Sequence, residues 1–254
     1  MSNPIRYPYA SGEHCFGDLY LPSQLEPAPV VVLIHGGFWR ATYGLELMVP
    51  LAENLVADGY AVWSIEYSRV THDGGGFPGT LIDVAAAIDH VAKLAELHPV
   101  DRDRVAVVGH SAGGHLAAWV GGREHLKDGD PGSHPSIIPN LVVPQAGVIN
   151  LPAAATDFMG NGAVIDFLGG EQVGLEDAYR IATPQVGTPH VAIVHGTNDE
   201  VVPRHYGTYA SAPLASTSIE WTIIEGADHM DMIDPAHAAW ASVRSAIADH
   251  LNAT

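Results

Sequence analysis

Two hydrophobic periods alternate along the chain. Short, near-continuous apolar runs recur at Val30-Val31-Val32-Leu33-Ile34, Ala61 to Ile65, Val105 to Val108, Leu141 to Val148 and Val191-Ala192-Ile193-Val194. Such runs, rich in β-branched residues and without polar alternation, suit strands buried on both faces, as in a parallel sheet. Between them, apolar residues fall three and four apart: Leu45, Met48, Leu51, Ala52, Leu55 and Val56, stopped by Gly59; Leu81, Val84, Ala85, Ile88, Val91 and Ala92 within about 80–97; Leu116, Trp119 and Val120; and Trp240, Val243, Ile247 and Leu251. That spacing lines one face of a helix. Residues 5–21 read as a hairpin turning at Ser11-Gly12-Glu13. A further helix is predicted around 203–214 and a strand at Ile219 to Ile224, while 123–140 and Asp73 to Pro78 read as loops. Strands alternating with helices predict an α/β fold: one mostly parallel, eight-stranded sheet with helices on both faces. From Asn150 to about Gly187 the periodicity weakens, which predicts a small cap inserted at about 150–187 into a single domain over 1–254.

Ligands of an open parallel sheet gather outside the carboxyl ends of its strands. Four candidate groups follow predicted strand ends directly or by a short loop: His35-Gly36-Gly37-Phe38, Ser111, Asp199 and His229. Ser111 sits in Gly109-His110-Ser111-Ala112-Gly113, a Gly-x-Ser-x-Gly pattern between a strand and a helix. On a strained turn of that kind the hydroxyl stands clear of the sheet, and the N–H of Ala112 points into the same space. A neutral serine is a poor nucleophile and needs a base. The order Ser111, Asp199, His229 supplies one: His229 takes and returns the proton, and Asp199 holds the imidazole tautomer. The glycine-lined backbone after His35 adds N–H groups at Gly37 and Phe38, which with Ala112 are candidate donors to an oxyanion.

Other residues admit more than one reading. Glu200, Asp228 and Asp231 are rival carboxylates to Asp199. His35 reads as a hydrogen bonder that fixes its own loop, and His115, one turn beyond Ser111, as a structural residue. Trp39 either packs under the oxyanion loop or lines the pocket. Phe158, Met159, Phe167 and Leu168 either line a substrate pocket or form the cap's own small core.

Composition narrows the partners. The 254 residues are 47% hydrophobic and carry a formal net charge of −18, which argues against nucleic acid or an anionic membrane surface as partner. Cys15 stands alone, so no intrachain disulfide framework is expected. No apolar run has the length of a signal peptide or a bilayer span, and the expected location is cytoplasmic. No metal is predicted: there is no His-Glu-x-x-His, and Asp128-Gly129-Asp130-Pro131-Gly132 has Pro139 where a calcium loop needs its glutamate. Gly74 to Gly76 lacks the setting of a phosphate cradle, and no cofactor is expected.

On these residues the sequence resembles the esterase branch of the α/β-hydrolase superfamily, near the hormone-sensitive-lipase-like esterases. It is more similar still to small esterases and kynurenine formamidases carrying His-Gly-Gly-x-Trp. The matching stretches are His35 to Trp39, Gly109 to Leu116, Tyr179-Arg180 before Thr183-Pro184, His195-Gly196 with Asp199 and Val202-Pro203, and Asp228-His229 with Asp231. Phe38 stands where lipase-like esterases often have a third glycine, which bears on the shape of the oxyanion pocket but leaves the backbone donor. The resemblance implies an α/β-hydrolase fold and a cofactor-free serine esterase acting on small carboxylic esters through an acyl-enzyme. Two alternatives stand beside it: an aryl formamidase, and a non-catalytic hydrolase-fold receptor for a small ligand. Oligomeric state is left open.

Overall fold

The computed structural model describes residues 3–24, 26–209 and 219–252. In chain order it contains β1 (Ile5–Pro8), β2 (Phe16–Tyr20), β3 (Ala28–Ile34), α1 (Val49–Ala57), β4 (Ala61–Ile65), α2 (Gly79–Asp89), α3 (Val91–Leu97), β5 (Val100–His110) and α4 (Ala112–Gly121). There follow β6 (Leu141–Gln145), α5 (Leu151–Thr156), α6 (Met159–Leu168), α7 (Glu176–Ala182), β7 (His190–Gly196), β8 (Ile219–Ile224) and α8 (Ala238–Leu251). The strands form one sheet in the order β1-β2-β4-β3-β5-β6-β7-β8. Only the β1–β2 and β2–β4 pairings are antiparallel; from β4 to β8 every pairing is parallel. The carboxyl ends of those strands therefore share one edge, as the sequence predicts.

Side-chain parity builds a core on each face. Val30, Val32 and Ile34 of β3, with Val105 and Val107 of β5, pack among Leu81, Val84 and Ile88 of α2 and Leu116 and Trp119 of α4. Val31, Leu33, Ala106 and Val108 point the opposite way, against Leu51 and Leu55 of α1 and Trp240, Val243 and Ile247 of α8. Both parities being buried is why these strands read as unbroken apolar runs.

Two predicted helices differ in the structure. The helix over 80–97 is divided at His90, where the N–H of Lys93 bonds to the His90 carbonyl only three residues back (2.8 Å) and tightens the turn. The helix around 203–214 reduces to a single 3-10 turn at Arg204–Gly207, after which Thr208 is extended. The Tyr206 carbonyl, which a longer helix would use, instead accepts the N–H groups of Ile149 and Asn150, both at 2.8 Å. Residues 210–214 of that prediction lie outside the described residues.

The segment of weak periodicity forms α5 to α7, inserted between β6 and β7. It is tied to the sheet layer at several points. The N–H of Phe77 bonds to the Phe167 carbonyl (2.7 Å), Trp119 Nε1 to the Ile181 carbonyl (2.8 Å) and His115 Nε2 to the Ala182 carbonyl (2.8 Å). Arg40 donates to the carbonyls of Gly160 and Asn161 and to Asp166. The carbonyls it grips belong to a short left-handed turn, Gly160-Asn161-Gly162, with φ of 59°, 54° and 76°.

Candidate active site

Ser111 stands between β5 and α4 with φ 58° and ψ −118°, a conformation costly for a residue with a Cβ and kept only where the surroundings enforce it. Here they do. The Ser111 N–H is held by the Gln145 carbonyl of β6 (2.8 Å). The glycines two residues to either side cannot carry a side chain: a Cβ on Gly109 would lie 2.0 Å from the Gly113 carbonyl oxygen, and one on Gly113 2.2 Å from that of Ile34. Their absence lets α4 sit directly on the end of β3.

The loop after β3 is equally strained. Gly37, Phe38 and Trp39 have φ of 116°, 55° and 55°, three successive residues in the left-handed half of conformational space. Gly36 brings this loop against the serine: a Cβ there would lie 2.9 Å from Ser111 Cβ and 2.8 Å from the His110 carbonyl oxygen. Beneath it, His35 has Nε2 on Glu66 Oε1 (2.9 Å) and Nδ1 on the Gly36 carbonyl (2.7 Å). Burial alone would raise the Glu66 carboxyl; the His35 hydrogen bond, the Tyr67 N–H and Arg69 together hold it below its ordinary range. His35 thus takes the loop-fixing place the sequence suggested. Among the described residues, the main-chain N–H groups of Gly37, Phe38 and Ala112 meet no protein acceptor.

Trp39 is buried, stacked on Phe167 (4.8 Å between ring centres), and gives its Nε1–H to His115 Nδ1 (3.2 Å). With His115 Nε2 on the Ala182 carbonyl, the His115 tautomer is determined and the ring is neutral; burial pushes its pKa down to about 4. Trp39 therefore packs beneath the loop, and Phe167, 1% exposed, belongs to the core with it. Met159 is likewise buried in that core. Phe158 is 60% exposed and borders a surface cavity of about 420 Å³ with Pro152, Ile165, Val173 and Tyr179, whose lining does not include Ser111. In the loop after β3, the Phe38 ring also faces the insertion, lying against Gly160.

The structure brings Asp199 and His229 together. His229 Nδ1 donates to Asp199 Oδ2 (2.8 Å), and Asp199 Oδ1 accepts the N–H groups of Val201 (3.0 Å) and Val202 (2.8 Å). Burial by itself would raise the Asp199 carboxyl; hydrogen bonds from His195 and His229, the charge of His229 and the Val202 N–H overcome it and drive the pKa far below the ordinary range. The rival acids are engaged elsewhere or point out. Glu200 is exposed. Asp228 accepts from the N–H groups of Met230 and Asp231, and Asp231 from that of Asp228, so both close the turn after His229.

Two further histidines lie in this cluster, and the motif reading assigned them no role. His110 gives Nε2–H to the His229 carbonyl (2.9 Å), with its ring 4.5 Å from that of His229; burial and the neighbouring His229 press its pKa down to about 3. His195, at the end of β7, reaches the Val202 carbonyl (2.8 Å) and Asp199 Oδ2 (3.3 Å) through one nitrogen. In the sequence it stands in the matching stretch His195-Gly196 with Asp199 and Val202-Pro203, which gave it no role of its own. Among the described residues no cluster of three or more His, Cys, Asp or Glu could hold a metal ion, and no helix is long and apolar enough to cross a membrane.

A protein-family model designated BD-FAE matches residues 17–214, more than three quarters of the chain. The chain belongs to the BD-FAE family. This BD-FAE chain is similar to the esterase LipC of Mycobacterium tuberculosis, 28% identical over 234 residues that cover 83% of the chain and 55% of LipC. It is also similar to kynurenine formamidase of Danio rerio, 31% identical over 125 residues covering 44% of the chain and 36% of that enzyme. The chain spans about half the length of LipC and of the related esterase LipQ. Among solved structures, esterase B of Lactobacillus rhamnosis superposes with a TM-score of 0.79 at 19% identity, covering 99% of this chain and 87% of that one. MGS-M1, an α/β hydrolase from a Medee basin deep-sea metagenome library, superposes with a TM-score of 0.71 at 19% identity over 99% and 98%. The fold is the α/β-hydrolase fold.

Proposed function

We propose that the chain is a serine hydrolase that cleaves small carboxylic esters through an acyl-enzyme. The observation that carries this reading is the His229–Asp199 hydrogen bond, at the sheet edge where Ser111 sits on its strained turn with the N–H groups of Phe38 and Ala112 unspent. His229 takes the Ser111 proton on Nε2 as Oγ attacks the ester carbonyl carbon. Negative charge then grows on the carbonyl oxygen, where N–H groups of Phe38 and Ala112, with Gly37 beside them, stabilise it. Asp199 offsets the positive charge that His229 acquires and keeps Nδ1–H pointed at itself. Collapse of the intermediate expels the alcohol, which collects the proton from His229. Water then repeats the cycle on the acyl-serine and releases the acid.

In this reading α5 to α7 act as a small cap within one domain, and the Phe38 ring against Gly160 narrows the space beside the oxyanion donors. Short acyl groups are favoured over long ones. Formamide hydrolysis uses the same steps with formyl as the acyl group, and similarity to the Danio rerio enzyme makes it the second reading.

The test is a panel of p-nitrophenyl esters of increasing acyl length, with N-formylkynurenine alongside and a serine-reactive phosphonate as label. Turnover of the short esters, lost in Ser111→Ala together with labelling while the melting temperature holds, is the expected result. A preference for N-formylkynurenine by orders of magnitude in kcat/KM assigns the second reading. Negligible turnover of every substrate by the intact chain would overturn both and favour a ligand receptor.

A further inference from the structure

Asp199 Oδ2 faces two imidazoles. His229 approaches it at 2.8 Å and His195 at 3.3 Å. His195 is fully buried at the end of β7, and its contacts settle its protonation. Nε2 lies between two acceptors, the Val202 carbonyl and the carboxylate, so it carries a hydrogen. Nδ1 has no hydrogen-bond partner among the described residues and packs against Gly207, where a Cβ would come within 3.0 Å. A buried Nδ1–H without an acceptor is disfavoured, so the ring is the neutral Nε2–H tautomer. It donates and has no outlet for a proton.

The other partners of Asp199 leave a need for that donor. The N–H groups of Val201 and Val202 both bind Oδ1. Two bonds to one oxygen fix its position but let the carboxylate swing about it, and a swing moves Oδ2, the oxygen His229 uses. His195 is itself pinned at Val202, in the same loop that pins Oδ1.

We propose that His195 is a positioning residue: its shared Nε2–H fixes Oδ2 of Asp199 so that the remaining lone pair meets Nδ1–H of His229, and it moderates the basicity of the carboxylate. This rests on the esterase reading above. The polar contacts of His195 among the described residues are to the Val202 carbonyl and Asp199, so it would act through Asp199. The groups that face this pair are His195 from β7 and His110 from the end of β5, the latter a neutral ring bonded to the His229 carbonyl.

Removing the donor has a directional consequence. A carboxylate that loses a hydrogen bond holds its charge less well and attracts the imidazolium of His229 more strongly, so protonation of His229 becomes easier. The acidic limb of the activity profile moves to higher pH. A role confined to packing would lower the amount of folded enzyme and leave that limb in place.

The experiment measures kcat, KM and the pH profile of kcat/KM on a p-nitrophenyl ester for His195→Ala, His195→Gln and the parent chain, with melting temperatures. Gln places an amide N–H near the position of Nε2. Expected for His195→Ala are a fall in kcat of about ten- to a hundredfold with little change in KM, and an acidic limb moved up by about half a unit. His195→Gln recovers most of both. Equal kinetics for the two variants, or a loss in His195→Ala with the limb unmoved, overturns the proposal. Should His195→Ala not fold, His195→Asn takes its place, since its amide is too short to reach Asp199 and the same shift is expected. Turnover that survives Ser111→Ala and Asp199→Asn would defeat the esterase reading itself. Loss in those two with no difference among the His195 variants would defeat only this inference.

Discussion

Replacing Gly36 with alanine adds one methyl group between the oxyanion loop and the serine. The new Cβ would lie 2.8 Å from the His110 carbonyl oxygen, 2.9 Å from Ser111 Cβ and 3.3 Å from His110 Nδ1. None of these is the free end of a flexible chain: two belong to the strained turn at Ser111 and the third to a ring held by the His229 carbonyl. Relief to an ordinary carbon–carbon contact of roughly 3.5–4.0 Å needs about 0.6–1 Å of movement. The loop gives more readily than the turn, because the turn is tied to β6. Oxyanion donors moved by that much are expected to cost about a hundredfold in kcat/KM, while overpacking costs about 1–3 kcal/mol of stability. The assay is kcat/KM on a short-chain p-nitrophenyl ester beside a denaturant melt. Gly170→Ala serves as control, since a Cβ there meets only the mobile end of Leu175 at 2.9 Å. A folded Gly36→Ala enzyme within threefold of the parent would refute both the close approach and the role assigned to it.

Asp199→Asn is expected to lower kcat by up to about 10⁴, whereas Asp228→Asn and Glu200→Gln stay within an order of magnitude, measured on the same ester. His110 and His115, held neutral at pKa values of about 3 and 4, make stability fall with acidity. Between pH 6.5 and about 4 the unfolded chain protonates both imidazoles and the folded chain neither, so each costs about 1.4 kcal/mol per pH unit and the loss reverses as pH rises. Asp199, depressed in the fold, adds a loss in the same direction below its unfolded value. Urea midpoints at pH 7, 6 and 5 check this, and a flat series counts against it. Trp39→Phe keeps the stack on Phe167 but orphans His115 Nδ1, and is expected to destabilise by about 1–3 kcal/mol in the same melts.

Much of this molecule is decided by local chemistry and is legible without coordinates. Val30–Ile34 and Val105–Val108 announce strands covered on both faces because every position in them is apolar. The turn at Ser111 is legible because its glycines answer a local demand: no Cβ fits at Gly109 or Gly113. What the linear pattern left open depends on partners distant in the chain. The order of residues and the strand end favour Asp199 over Glu200, Asp228 and Asp231, but the contact that separates them is tertiary: Asp199 is buried beside His229, while Asp228 and Asp231 close the turn after it. Phe167 has the same periodicity whether it lines a pocket or a core, and the position of Trp39 chooses the core. The helix expected at 203–214 has the right residues, but the Tyr206 carbonyl is claimed by Ile149 and Asn150. His195 is named in the matching stretch before Asp199, but its contact with that carboxylate emerged only when β7 and the loop after it were placed, because an approach to one oxygen of one side chain leaves no periodic trace along a chain.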